Sequence, residues 1–123
     1  MVTKYGRKSS GGRYRKFKKK KLYERKGKPR EVILGKEKKR KIKARGGHMK
    51  SVLLATDTAN VFDKNEKKGK KVKILNVIEV PSNRFLARKN VLVKGAIIET
   101  ELGKAKITNR PSQESCVQAI LIS

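Results

Sequence analysis

The sequence predicts an all-β protein: a small closed or near-closed β-barrel of short antiparallel strands with an extended basic N-terminal arm. Three observations carry this reading. From residue 30 onward, short apolar runs alternate with turn residues. No apolar pattern of helical period lasts beyond two turns. Before residue 30 there is little to bury and a large excess of positive charge. Closure has a physical motive, because an open sheet this small would expose edges prone to pairing with other chains.

Residues 1–29 read as the arm. Ser9-Ser10-Gly11-Gly12 is pliant, and Gly27 and Pro29 punctuate its end. Like charges along Arg13–Lys26 repel in a helix or a strand, so the arm is expected to be disordered when free. A helix over Arg13–Lys26 becomes available once phosphates screen that charge. Residues 30–123 read as the barrel body. Glu31–Leu34 is a first short run, closed by Gly35. Lys38–Arg45 is basic, with Ile42 and Ala44 alternating against Lys41, Lys43 and Arg45. Gly46-Gly47 then turns the chain into Lys50–Thr56. Two glycines between extended runs signal a hairpin, because a two-residue turn often needs positive φ.

Thr58–Phe62 is a further strand, ended by the polar loop Asp63–Gly69. Lys71–Val80 has the clearest alternation: Val72, Ile74, Ile78 and Val80 share one face, interrupted by Asn76, with Lys71, Lys73 and Glu79 opposite. Pro81-Ser82-Asn83 breaks that strand, and Arg84–Asn90 is an irregular or briefly helical connection. Val91–Val93, Ala96–Thr100, Lys104–Thr108 and Val117–Ile122 complete the strands, with turns at Lys94-Gly95, Leu102-Gly103 and Pro111–Ser115.

The charge says what such a body carries. With 35 Lys+Arg against 10 Asp+Glu, the 123-residue chain has a formal net charge of +25. That exceeds what solubility asks for and implies a polyanionic partner. Residues 1–50 hold 22 basic and 3 acidic side chains, a net of +19, which leaves +6 for the rest. Four of the six aromatics, Tyr5, Tyr14, Phe17 and Tyr23, fall in the same half, where no core is apparent. Rings in a basic arm suit stacking on bases. Cys116 is the only cysteine, so no internal disulfide and no thiolate zinc site can form, which fits a reducing compartment. The N-terminus has no apolar run for a signal or a membrane span, and the arm lacks the apolar face of a membrane-surface helix. A cytoplasmic protein without cofactor, metal or small-molecule substrate is expected.

Candidate RNA-binding residues fall in four groups. The arm supplies Arg7, Lys8, Ser10, Gly11, Gly12, Arg13, Tyr14, Arg15, Lys16, Phe17, Lys18, Lys19, Lys20, Lys21, Tyr23, Arg25, Lys26 and Lys28. Phosphates would neutralise its cations and release counterions, while Tyr14, Phe17 and Tyr23 offer faces to unstacked bases. Gly11-Gly12 is either a plain hinge or a place where backbone N–H groups approach phosphates closely, and both can hold. Around the first hairpin lie Arg40, Arg45, Gly46, Gly47, His48 and Lys50. A solitary His48 cannot build a metal site or a general-base pair; it contacts RNA or is simply exposed. Asn83, Arg84, Arg88, Lys89 and Asn90 form a basic, amide-bearing loop, whose alternative reading is a loop capped by its own asparagines. Lys94 and Arg110 extend that patch if their strand ends are neighbours in space. Glu99 and Glu101 are read as cross-strand partners of Lys106 and Lys104 rather than an acid–base pair.

Three stretches give the chain a resemblance to the archaeal and eukaryotic small-subunit ribosomal protein family S eight-e. They are Arg7-Lys8-Ser9-Ser10-Gly11-Gly12-Arg13 with its following basic run and Tyr23-Glu24; Arg45-Gly46-Gly47-His48-Met49-Lys50 with Ala59-Asn60-Val61; and Pro81-Ser82-Asn83-Arg84, Arg88-Lys89-Asn90, Lys94 to Gly103 and Thr108-Asn109-Arg110-Pro111. Their order spans almost the whole chain, and the short length resembles the archaeal form. The resemblance implies a compact barrel body, an extended arm, binding to small-subunit ribosomal RNA beside neighbouring ribosomal proteins, and no catalysis. The rival reading from charge alone is a free-standing nucleic-acid-binding or compacting protein outside the ribosome. An enzyme would need convergent reactive groups, and the sequence offers only His48, Cys116 and scattered acids.

Overall fold

Residue 53 is where two sheets share one core. The computed structural model describes residues 7–12, 14, 21–24, 27 and 30–122. The short β1 (Ile33–Leu34), basic β2 (Lys38–Lys43) and longer β3 (Met49–Thr56) make a three-stranded sheet in the order β1-β3-β2. β4 (Thr58–Asp63), β5 (Lys68–Glu79), β6 (Ile97–Thr100), β7 (Gly103–Ile107) and β8 (Gln118–Leu121) close into a five-stranded barrel. A five-residue helix α1 (Arg84–Arg88) sits between β5 and β6. Leu53, fully buried on β3, belongs to the same apolar cluster as the barrel interior, and its N–H is shared between the carbonyls of Pro111 and Glu114.

The barrel expected from the sequence is present, with three corrections. Not every pairing is antiparallel: β8 closes the barrel by running parallel to β4 (Asn60↔Gln118 to Phe62↔Ile120), and β1 is parallel to β3. Val91–Val93 is not a strand; it contributes one isolated bridge, Val91 to Ile33. The face assigned to Lys71–Val80 is also changed. Val72, Ile74, Val77 and Val80 are buried, whereas Ile78 is exposed, because the β5–β6 register slips between Ile74 and Asn76 and again between Val77 and Glu79. Each slip puts an unpaired residue into β5 and turns the following side chains to the other face. Asn76, read as an interruption, sits at the first slip, where its Oδ1 accepts from the N–H of Val77 (2.9 Å).

A five-stranded barrel has a narrow interior, and small residues alternate with large ones to fill it. Ala105 faces Ile98 across β6–β7, Ala119 lies between Ile107 and Val61, and Ala59 faces Val72. All seven are buried. Buried Thr100 closes the β6–β7 turn by donating from Oγ1 to the carbonyl of Gly103 (2.8 Å). No buried side-chain polar atom among the described residues lacks a hydrogen-bond partner.

Candidate nucleic-acid interface

The register decides which predicted residues meet. The end of β5 pairs with the start of β6 (Glu79↔Ile97), and the start of β6 pairs with the end of β7 (Ile97↔Lys106). The connections that leave or enter these strand ends therefore emerge at one end of the barrel. They are Asn83 with α1, Lys94-Gly95, and Asn109-Arg110. A bond from Gly95 N–H to the carbonyl of Ile107 (2.8 Å) joins the last two. The starts of β4 and β8 lie at this end too, so β3 enters the barrel here. The condition placed on Lys94 and Arg110 is met. The opposite end carries the β4–β5 loop and the Glu101-Leu102 turn, where the Lys70 ammonium is held by Glu66 (2.8 Å), a bond and charge that raise its pKa.

On α1 the predicted residues divide. Leu86 and Ala87 pack against the core, while Arg84, Arg88 and Lys89 are exposed. Asn83 and Asn90 also serve the fold. Asn83 caps the helix by accepting from the N–H of Phe85 (2.9 Å), and Asn90, at φ +51, accepts from the N–H of Val77 (3.3 Å). One residue the sequence reading passed over stands between the arginines. Phe85 is exposed, with the Arg84 and Arg88 guanidinium carbons 5.4 and 6.0 Å from its ring centroid. Its signal was an aromatic in a basic loop, the same feature used for the arm.

The β2–β3 hairpin forms a basic ribbon. From Ile42 to Ser51 no residue is fully buried, so this half stands clear of the core. Its turn spans Ala44–His48, longer than two residues, and is closed by a bond from Ala44 N–H to the His48 carbonyl (2.7 Å). Both glycines take positive φ, +75 at Gly46 and +79 at Gly47. Arg40, Arg45, His48 and Lys50 are exposed on it. So are Lys39, Lys41 and Lys43, which period two places on one face and which the sequence reading left out. At its base, Lys39 pairs with Glu37. The hydrogen bond from Lys39, then its charge, holds the Glu37 carboxyl below the ordinary value, and the nearby Lys71 adds to this.

Of the arm, the described part is a turn and a short helical turn. Lys8 and Gly12 close the first (3.0 Å) with Gly11 at φ +76, and Arg7 donates to the Gly11 carbonyl (2.9 Å). Lys8 and Lys21 lie 5.7 and 5.9 Å from the ring centroids of Tyr14 and Tyr23. Ser10 and Gly12 are exposed. Arg13, Arg15, Lys16, Phe17, Lys18, Lys19, Lys20, Arg25, Lys26 and Lys28 lie outside the described residues, as does most of the helix considered for Arg13–Lys26.

The carboxylates assemble nothing reactive. Glu99 faces Lys104, not Lys106, and Glu101 sits in the turn itself, a correction by two residues of register since Thr100 pairs with Gly103. Among the described residues no three His, Cys, Asp or Glu side chains converge as a metal site would require, and no helix is long and apolar enough to cross a membrane.

The chain is also similar to known proteins. A family model described as ribosomal protein S8e matches residues 2–122. The chain is 44% identical over 117 residues to the small ribosomal subunit protein eS8 of Sulfolobus acidocaldarius, and likewise to that of Sulfurisphaera tokodaii, covering 94% of this chain and 91% of each relative. It is 46% identical over 118 residues to the eS8 of Ignicoccus hospitalis, with the same coverage. These relatives carry the name of a ribosomal component, not of an enzyme.

Proposed function

Because the chain belongs to the ribosomal protein S8e family, we propose that it is a structural constituent of the small ribosomal subunit that binds and stabilises small-subunit ribosomal RNA. The observation that supports this most is the gathering of exposed cations: Arg84, Arg88, Lys89, Lys94 and Arg110 at one barrel end, and Lys39 to Lys50 along the ribbon. Phosphates packed closely between RNA helices repel one another, and cations held by a rigid body offset that repulsion. Base identity enters only where bases are unstacked, and elsewhere RNA shape selects the site. Residues 1–29, rich in Lys and Arg, supply further cations for phosphates. On this reading the protein works in the cytoplasm, within the ribosome and beside other ribosomal proteins.

Residue-level mapping of RNA crosslinks to the cell-derived protein tests partner and site together. Crosslinks from the arm, the ribbon and the α1 end to small-subunit rRNA are expected, with the protein sedimenting in small subunits. Absence from those subunits, or equal affinity for DNA duplex, would sink the ribosomal reading in favour of a free-standing nucleic-acid binder. If about ten phosphates are neutralised, log K falls with log salt at a slope of roughly −7 to −9.

A further inference from the structure

Phe85 is an apolar ring in a setting of charge. It is 54% exposed on a helix whose neighbours Leu86 and Ala87 face the core. No carboxylate among the described residues pairs with Arg84 or Arg88, although both guanidinium carbons lie within 6.0 Å of the ring centroid. The helix is pinned at both ends. Asn83 caps its start, and the N–H groups of Asn90 and Val91 bond back to Ala87 (2.9 Å) and Leu86 (3.0 Å). A ring on such a support loses little freedom when something flat is laid on it.

We propose that Phe85 is a stacking platform for a single unstacked RNA base, with Arg84 and Arg88 contacting the phosphates on either side of it. The inference rests on the RNA-binding reading above and names what one part of that surface recognises. A stacked base in an A-form duplex is out of reach of a ring on a convex helix, so the ligand is a nucleotide splayed from a loop or bulge. Both guanidinium groups lie over the ring in the free protein, and a stacking base takes a place on the π-face as they turn to phosphates, which they bind through a planar fork. An apolar patch for another protein would be a poorer fit, because docking there would bury two unpaired charges.

The chain contains no tryptophan, so Phe85→Trp installs a single indole as a reporter. Titrating the full-length variant with transcribed small-subunit rRNA is expected to quench that indole, with affinity within about twofold of the wild type. Phe85→Ala is expected to bind the same RNA about five- to 150-fold less tightly, the range for loss of one base–aromatic stack. Its thermal midpoint and salt slope should match the wild type, which a merely structural ring would not allow. If the wild type binds but the indole stays bright at saturation, or Phe85→Ala binds equally well, the platform is wrong and RNA binding stands. Quenching seen only in assembled subunits, and not on RNA alone, assigns the ring to a protein neighbour and also overturns the platform. Failure of the wild type to bind rRNA overturns the broader reading, and the platform with it.

Discussion

The N–H of Val77 is shared between the side-chain oxygens of Asn76 (2.9 Å) and Asn90 (3.3 Å). Asn90 lies thirteen residues further along the chain and ties the end of α1 to the bulged part of β5. That N–H lies between the two register slips of β5, and a backbone donor left without a partner there would destabilise the fold. The same residue holds a left-handed backbone, φ +51, which asparagine tolerates better than most. Two properties of one side chain therefore position the helix that presents Arg84 and Arg88.

Asn90→Ala is expected to lower the unfolding free energy by about 1–2 kcal/mol, combining the lost bond with left-handed strain. Asn90→Gly, which loses the same bond but adds no left-handed strain, should lose less. Denaturant unfolding of both variants checks this. Equal losses would show that backbone conformation contributes nothing.

Ala105 has no exposed surface and faces Ile98 across β6–β7. Ala105→Val adds volume where the five-stranded interior has none, and is expected to destabilise by about 1–3 kcal/mol. Pairing it with Ile98→Val should recover part of the loss. Calorimetric midpoints of the single and double variants give the coupling, and strict additivity would contradict contact between these two strand neighbours.

The ribbon lysines offer a test of electrostatics without disturbing the core. Replacing Lys39, Lys41 and Lys43 together by Gln should reduce the salt slope of rRNA binding by roughly 2–3, if each meets one phosphate. The melting curve should be unchanged, since all three are exposed. An unaltered slope would remove that strand face from the interface.

Glu37 gives a pH signature. Its carboxyl is held below the ordinary value first by the hydrogen bond from Lys39, then by the charges of Lys39 and Lys71. A lowered carboxylate contributes stability above its unfolded-state pKa, and that contribution is lost as pH falls through the lowered folded value. NMR titration should place the Glu37 midpoint below that of a free glutamate and move it upward in Lys39→Gln. Because both side chains are exposed, melting near neutral pH should not change in that variant.

Much of this was legible in the residue string. Gly46-Gly47 announced the hairpin because both positions require positive φ, although the turn proved longer than two residues. The string allows an irregular or briefly helical connection over Arg84–Asn90, and the structure makes it the short helix α1 capped by Asn83. What escaped was the consequence of slippage: Ile78 was assigned inward from its spacing, yet two bulges expose it and bury Val77. Glu101 was given a cross-strand partner by the same logic and lies in the turn instead. Phe85 was overlooked because its loop was read for charge and amides alone.

By itself the sequence determined the local character of the chain. Alternating apolar runs made strands, glycines and prolines ended them, and the cation excess called for a polyanion. Only tertiary structure decided that β8 runs parallel to β4, that small side chains fill the interior, and that Arg84, Lys94 and Arg110 emerge at one barrel end. Strand formation depends on neighbours a few residues away. Register and closure depend on which distant side chains fit together in one core, and that fit is settled only when the barrel closes.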